Sequence, residues 1–276
     1  MTNPLPTNLR SFLVKSFFPL LLLLLLSACA TTRPANDIAC NAPVNIPEGD
    51  LLLFGEMHGS VETPELVGRV ACEQAKHGPA ALGLEVPTEE QAAIDRYMDS
   101  DGSDEARGQL LAGRFWQKGR DGRSSAAMSG LLEQVRLWRL NGLPLSVFAF
   151  DSDNGGGRDK ALAASIRNFR TQHPDLPIIA LMGNIHASGE PFEFSDRTVV
   201  TSGTLLQDMN PVSILVRYPA GTVWACMGGS CEIHEIRRSS GSPVSPGFSE
   251  GSPRGGYAIS FMLPSITASP PAVDQQ

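Results

Sequence analysis

The chain alternates short, uninterrupted apolar runs with longer amphipathic stretches, and this alternation restricts its fold more than any other feature. The apolar runs cover residues 51–55, 80–86, 145–150, 178–182, 198–201 and 213–218. Because these runs lack the polar alternation of a half-exposed strand, they predict strands that are buried on both faces of a sheet.

Stretches with helical periodicity lie between these runs, at residues 62–76, 89–98, 126–140 and 158–171. Strands that alternate with helices predict an α/β fold, with a central, mainly parallel β-sheet flanked by helices on both faces. Two late strands are expected at 224–226 and 257–263, around a Ser/Gly/Pro-rich segment at 239–256 that is typical of a mobile loop.

The length of 276 residues favours one large domain, which we place at residues 50–264. Residues 29–49 are rich in Thr, Pro, Asn and Ala and are expected to form a tether. Residues 265–276 are expected to be a disordered tail.

The first thirty residues have the pattern of a bacterial secretion signal. Arg10 and Lys15 precede an apolar stretch at 17–26, and Leu-Ser-Ala-Cys ends at Cys29. This pattern predicts a signal peptide at 1–28 and a lipid anchor on Cys29, the alternative being an ordinary signal with an incidental cysteine. Because no aspartate follows Cys29, we expect an outer-membrane lipoprotein that faces the periplasm.

Besides Cys29, four cysteines remain after removal of the signal, namely Cys40, Cys72, Cys226 and Cys231. An even number in an oxidising compartment predicts two disulfides. The short spacing favours a Cys226–Cys231 bond, which leaves Cys40 to pair with Cys72. The alternative is a metal site that uses His234, but the paired Cys-x-x-Cys spacing of structural zinc sites is absent from the sequence.

The charge balance and the motifs exclude several classes of function. With 22 Lys and Arg against 29 Asp and Glu, the formal charge is −7, which disfavours a nucleic-acid partner. The sequence also has no Gly-x-Ser-x-Gly elbow, Walker loop or Rossmann glycine motif, so a standard serine hydrolase or nucleotide enzyme is disfavoured.

Acids and histidines follow four of the apolar runs directly. In parallel sheets, ligands bind outside the carboxyl ends of the strands, where the connecting loops converge. The sequence therefore predicts one site at this edge of the sheet. Its catalytic candidates are Glu56, His58, Glu85 and His186, and Asp151 and Asn184 are expected to bind substrate.

Each of these residues also has a structural alternative. Glu56 or His58 could cap the next helix, and His186 could be a packed core histidine. Glu85 could form a buried ion pair with Arg123, and Asp151 could cap the following helix.

The loop before the helix at 126–140 carries further substrate-binding candidates. Trp116 offers a stacking surface, Arg123 a guanidinium for an anionic or polar substrate, and Asp121 and Ser124 polar groups. The alternative is a solvated loop in which Ser124 or the next serine caps the helix.

Three short motifs carry a family resemblance, namely GEMHG at 55–59, GLEVP at 83–87 and GNIHA at 183–187. In this order they resemble the superfamily of erythromycin esterases, ChaN-like haem-uptake lipoproteins and Tiki/TraB proteins. The resemblance implies an α/β fold with a largely parallel sheet and a site built from Glu56, His58, Glu85 and His186.

Three functions compete at this site. The first is a hydrolase, in which His58 or Glu56 activates water, Glu85 orients the base, and His186 stabilises the oxyanion or protonates the leaving group. In a metal-assisted version, His58, His186 and Glu56 hold a divalent ion. The second is a haem- or iron-binding uptake lipoprotein, with His58, His186 or Tyr97 as axial ligand. The third is an inactive scaffold that binds a partner.

Overall fold

A computed structural model describes residues 39–40, 44–152, 157–237, 245–252 and 255–273. Its strands are β1 Leu51–Glu56, β2 Ala80–Pro87, β3 Leu145–Asp151, β4 Ile178–Gly183, β5 Phe192–Glu193, β6 Thr198–Val199, β7 Val212–Arg217, β8 Ala220–Met227, β9 Ser230–Arg237, β10 Gly247–Glu250 and β11 Ile259–Met262. Its α-helices are α1 Glu62–Lys76, α2 Gln91–Met98, α3 Asp104–Leu111, α4 Arg114–Lys118, α5 Ala126–Leu140, α6 Arg158–Gln172 and α7 Ser202–Leu205. Short 3-10 turns span Thr88–Glu90 and Gln207–Met209.

Seven strands form the central sheet in the order β10-β11-β7-β1-β4-β2-β3. All neighbouring pairs are parallel except β10 and β11. The predicted α/β class with a mainly parallel sheet is therefore confirmed. Strands β1 and β4 are central, so their carboxyl ends open at the middle of one sheet edge.

Strand β1 is fully buried because the sheet is covered on both faces. Leu52 and Phe54 belong to one core cluster, together with apolar residues of α1, α2 and α5. Leu51 and Leu53 belong to a second cluster, together with apolar residues of α6. Alternate side chains of one strand thus enter two cores, as an uninterrupted apolar run requires.

One predicted strand is missing from the central sheet, whereas the predicted late strand at 224–226 is present. Residues 198–201 do not enter the sheet, since β6 covers only two residues and pairs with β5. Residues 224–226 lie within β8, which pairs with β9 in a separate antiparallel hairpin. Within the predicted loop at 239–256, β10 adds an antiparallel edge strand, and residues 238–244 and 253–254 lie outside the described part of the chain.

The predicted domain limits were too narrow at both ends. Cys40 is buried and Val44 and Ile46 pack against the core, so this part of the predicted tether belongs to the domain. At the other end, Ala268 pairs with Ser60 and the chain is ordered to residue 273. The predicted disordered tail is wrong for residues 265–273 because their backbone groups are bonded to the domain: the Ala126 nitrogen, for example, donates to the Pro270 carbonyl at 2.8 Å.

Both predicted disulfides are present, between Cys40 and Cys72 and between Cys226 and Cys231. The predicted signal peptide and the Cys29 anchor lie outside the described residues. Among the residues described, no helix combines the length and the apolar character needed to cross a membrane.

Candidate functional site

A hollow of about 300 Å³ opens at the carboxyl ends of β1 and β4. It is lined by residues 56–58 and 183–186, by Asp121, and by Ala225 and Cys226 of the β8–β9 hairpin. Residues from four separate parts of the chain therefore meet at one opening, and the predicted residues Glu56, His58 and His186 are among them.

His58 lies between two buried carboxylates. Its Nδ1 donates to Oε1 of Glu56 at 2.9 Å, and its Nε2 lies 3.5 Å from Oε2 of Glu85. The second distance exceeds the usual 2.7–3.2 Å of such a hydrogen bond, so Nε2 retains capacity for another partner. Glu56 thus fixes the ring, and Nε2 remains available for chemistry.

The carboxylate of Glu85 is held by a backbone N–H group and by two arginine side chains. Its Oε2 accepts from the Gly183 nitrogen at 2.6 Å, and its Oε1 accepts from Arg158 at 2.6 Å. Arg123 lies 3.7 Å from the same oxygen. The ion pair between Glu85 and Arg123 that the sequence offered as an alternative is therefore present, and the same carboxylate also faces His58.

His186 has a carboxylate partner of its own. Its Nδ1 donates to Oδ1 of Asp159 at 2.8 Å, and the Ser202 nitrogen and hydroxyl donate to that oxygen at 2.7 and 2.9 Å. Within the described part of the chain, no side chain or backbone group bonds the other ring nitrogen of His186. The structure therefore contains two histidine–carboxylate pairs.

Gly183 brings the two pairs together. A methyl group built at this position would lie 3.1 Å from Nε2 of His58 and 3.4 Å from Cδ2 of His186. Both rings therefore border the same small volume, which stays open because residue 183 has no side chain.

The pKa values of His58 and Glu56 are both raised. Burial favours a neutral His58, but the charges of Glu85 and Glu56 outweigh burial and raise the pKa of the imidazole above 6.5. Burial raises the pKa of Glu56 above 4.5, against the smaller opposing effect of His58. Each of the two groups therefore keeps its proton to a higher pH than it would in isolation.

The pKa of Glu85 moves in the opposite direction. Burial alone would raise it, but the nearby charges of His58, His186, Arg158 and Arg123 lower it below 4.5. Glu85 is therefore ionised at neutral pH.

Only some of the predicted substrate-binding residues reach the hollow. Asp121 and Asn184 line the hollow. Asp151 does not cap α6, since Gly157 holds that position, and it accepts hydrogen bonds from Arg123 and Arg158.

Trp116 and Ser124 are not presented to the hollow. Trp116 is fully buried and packs edge-on against Phe115, so its ring is not a stacking surface for a ligand. Ser124 is buried beside the chain end, and its carbonyl accepts from the Ala272 nitrogen at 2.9 Å. The cap of α5 is Ser125, whose hydroxyl accepts from Met128.

The β8–β9 hairpin forms one wall of the hollow. The Trp224 nitrogen donates to the Gly59 carbonyl at 3.0 Å, and its indole donates to the Arg120 carbonyl at 2.9 Å. A side chain on Gly59 would collide with the Trp224 backbone, so this glycine allows the hairpin to seat beside His58. The Cys226–Cys231 disulfide closes the same wall.

Sequence reasoning missed Asp159, Ser202 and this hairpin. Asp159 lies in the first turn of α6, the helix that follows β3, and such helices begin at the edge where ligands bind. That position was a usable signal for Asp159. The contacts of Ser202 and of the hairpin depend on folding over long chain separations, for which the sequence carries no local signal.

The donors do not fit the predicted metal or haem sites well. No group of three or more His, Cys, Asp or Glu side chains within the described ranges is arranged to hold a metal ion, and Glu56 is bonded to His58. Tyr97 is buried, bonds Glu133 at 2.8 Å, and does not line the hollow. We therefore derive no catalytic step through a metal or haem.

Several solved structures have a similar fold. A Bacillus cereus protein matches with a TM-score of 0.53 and 11% identity, over 80% of this chain and 90% of that chain. A succinoglycan biosynthesis protein matches with a TM-score of 0.51 and 11% identity, over the same shares of both chains. An erythromycin esterase mutant, EreC, in its open conformation has a TM-score of 0.48 and 13% identity, over 79% of this chain and 76% of that chain.

No family model and no curated protein matches the sequence. At these identities the structural likeness concerns the fold, and it agrees with the fold that the resemblance implied. The chain thus belongs to a class of α/β proteins with a largely parallel sheet, and its activity has to be argued from the site itself.

Proposed function

We propose that this chain is a hydrolase that cleaves an ester or related acyl bond of a small molecule in the hollow. The observation that carries the proposal is the meeting of two histidine–carboxylate pairs, Glu56–His58 and Asp159–His186, beside Gly183. One imidazole can accept a proton there while the other donates one, and acyl transfer to water requires both steps.

His58 is the general base in this proposal. Because Glu56 accepts the hydrogen bond from Nδ1, the lone pair of Nε2 is left to accept a proton from a water molecule that enters the hollow. The neighbouring charge of Glu85 makes the imidazole a stronger base, which offsets the loss of basicity through burial. Such a base contributes about 10²- to 10⁴-fold to the rate when it lies within hydrogen-bond reach.

His186 is the general acid. The Asp159 carboxylate holds Nδ1 and would stabilise the positive charge of the imidazolium. Ser202 in turn fixes the carboxylate through two hydrogen bonds, so the ring does not need to reorganise during the reaction.

Hydrolysis of the acyl bond proceeds in two steps. Water attacks the acyl carbon while His58 removes one of its protons, and a tetrahedral oxyanion forms. The bond from carbon to the leaving group then breaks, and the leaving group takes a proton from His186. Exchange with solvent returns His58 and His186 to their starting protonation states.

The size of the hollow limits the substrate. Pockets for small organic ligands range from about 300 to 1,000 Å³, and this hollow of about 300 Å³ is at the lower end. It suits the reacting part of a small substrate better than a whole porphyrin ring, which favours hydrolysis over haem binding.

The test is a comparison of histidine variants against a panel of p-nitrophenyl esters. We expect His58→Gln and His186→Gln each to lower kcat/KM by about 10²-fold or more. His77→Gln is the matched control, because this exposed histidine follows α1 and is not part of the hollow. No hydrolysis of any ester by the wild type, or equal rates in all four proteins, would overturn the proposal.

We further propose that the chain is a lipoprotein anchored through Cys29 in the outer membrane and facing the periplasm. The support is the sequence pattern before Cys29 and the two disulfides, which suit an oxidising compartment. Labelling of the chain with an alkyne-tagged fatty acid tests the anchor. We expect the label in the wild type and its loss in Cys29→Ser, and an unlabelled wild type would refute the anchor.

A further inference from the structure

Both guanidinium groups near the hollow are already neutralised by carboxylates. Arg123 is bonded to Asp121 and Asp151, and Arg158 is bonded to Asp151 and Glu85. Neither arginine lines the hollow. The role of Arg123 as a receptor for an anionic substrate, which the sequence suggested, therefore lacks an available donor surface.

Among the residues described, the ion pairs around the hollow contain more acids than bases. The acids are Glu56, Glu85, Asp121, Asp151 and Asp159, and the bases are Arg123, Arg158, His58 and His186. Even with both imidazoles protonated, the ionised cluster carries a net negative charge. Carboxylates and phosphates would meet an unfavourable potential there, whereas cations would meet a favourable one.

Two carboxylates that line the hollow have capacity for a ligand. The Asp121 side chain is 47% exposed at the rim, so one side of it faces solvent. Glu56 is 3% exposed, and its Oε2 has no hydrogen-bond donor among the residues described. Because this oxygen is itself buried, its charge acts on a ligand in the hollow through space and adds to the preference for a cation.

We infer that the hollow selects substrates that carry a protonated amine, placed against Asp121, and that it rejects carboxylates and phosphates. This inference rests on the proposed function only in taking the hollow as the substrate site. It names the class of substrate as an acyl compound with a cationic nitrogen close to the bond that is cleaved.

The test uses three probes of nearly equal shape, namely benzylammonium, benzyl alcohol and benzoate. Binding to the purified full chain is followed through the ring-proton NMR signals of His58 and His186, which border the hollow. We expect benzylammonium to bind up to about fivefold more tightly than benzyl alcohol, as for a partly exposed ion pair, and benzoate to bind more weakly than both.

The variant Asp121→Asn tests whether this residue determines the preference for a cation. It removes the rim carboxylate and releases the Arg123 face that Asp121 holds at 2.8 Å, so the preference should change from benzylammonium towards benzoate. Asp175→Asn is the matched control, because it makes the same charge change at an exposed residue that is not part of the hollow. It should leave the preference unchanged.

The outcomes separate this inference from the proposed function. Tighter binding of benzoate than of benzylammonium in the wild type, no binding of any probe, or the same preference in Asp121→Asn would overturn the inference. Selective binding of the cation without hydrolysis of any ester would refute the hydrolase and leave the inference standing. Ester hydrolysis with a preference for anionic esters would support the hydrolase and refute the inference.

Discussion

Nε2 of His58 lies 3.5 Å from Oε2 of Glu85, and Glu85 is held there by the Gly183 nitrogen and Arg158. This carboxylate cannot turn away without losing both bonds. His58 follows β1 and Glu85 lies in β2, and their closeness makes the proton affinity of His58 depend on Glu85.

The first prediction concerns the pH dependence of hydrolysis. A general base must be neutral, so kcat/KM should rise with pH through the raised pKa of His58, with a midpoint above 6.5. Glu85→Gln removes the strongest charge that raises this pKa, so the midpoint should move to lower pH. The pH–rate profile and an NMR titration of the His58 ring measure the shift.

Glu133→Gln is the control for that variant. It removes a carboxylate that is also bonded to an arginine, Arg136, but on α5 and outside the hollow. An unchanged midpoint in Glu85→Gln, or an equal shift in the control, would contradict the assignment of His58 as the base.

The second prediction concerns stability. The folded-state pKa of His58 lies above its ordinary value of 6.5, so its contribution to stability is complete below pH 6.5 and disappears as pH rises through the folded value. Urea unfolding from pH 6 to 9 should therefore show a decline in the free energy of unfolding. His58→Gln should flatten that decline, and identical slopes in the two proteins would disprove the coupling.

The third prediction concerns Asp159. Asp159→Asn keeps the shape of the side chain but removes the charge that supports the His186 imidazolium. We expect kcat to fall by about 10²-fold, because an amide orients and supports the proton-donating ring less well than a carboxylate does. Asp196→Asn, at an exposed residue outside the hollow, should leave kcat unchanged.

The sequence predicts a residue of this site when the position of that residue depends on the local chain, and fails when it depends on packing between distant elements. Glu56, Glu85 and His186 end or follow buried strands, and strand ends can be read from apolar runs because parallel strands share an edge. The position of Asp159 in the first turn of α6 could also be read from the sequence, but its pairing with His186 could not. That pairing depends on how α6 and α7 pack after the chain has crossed the sheet.

Trp116 shows the opposite error. The sequence around it contains no long apolar run, which suggested an exposed loop. The chain instead forms α4, and this short helix turns the indole into the core against Phe115. Burial of one large aromatic side chain is favourable enough to outweigh the polar character of its neighbours. The local hydrophobicity of the sequence therefore did not predict that Trp116 is buried.

The fourth prediction separates the two disulfides. Cys40 and Cys72 are 32 residues apart and Cys226 and Cys231 only 5, so loop-closure entropy assigns roughly 4 and 2 kcal/mol to them. Cys40→Ser with Cys72→Ser should therefore cost more stability in urea. Cys226→Ser with Cys231→Ser should cost more activity, because that bond closes the wall of the hollow. The reverse order of effects would contradict the role assigned to the hairpin.

The fifth prediction concerns Gly183, where a single methyl group should separate activity from stability. In Gly183→Ala the new methyl would lie 3.1 Å from Nε2 of His58 and 3.4 Å from the His186 ring, within the volume that water and the acyl carbon need. We expect kcat/KM to fall by at least tenfold, since small displacements of reacting groups are costly. Gly108→Ala is the control, because nothing lies within 4 Å of the new methyl in α3 and the helix should gain up to about 1 kcal/mol. Full activity in Gly183→Ala would show that the reaction does not take place between the two imidazoles.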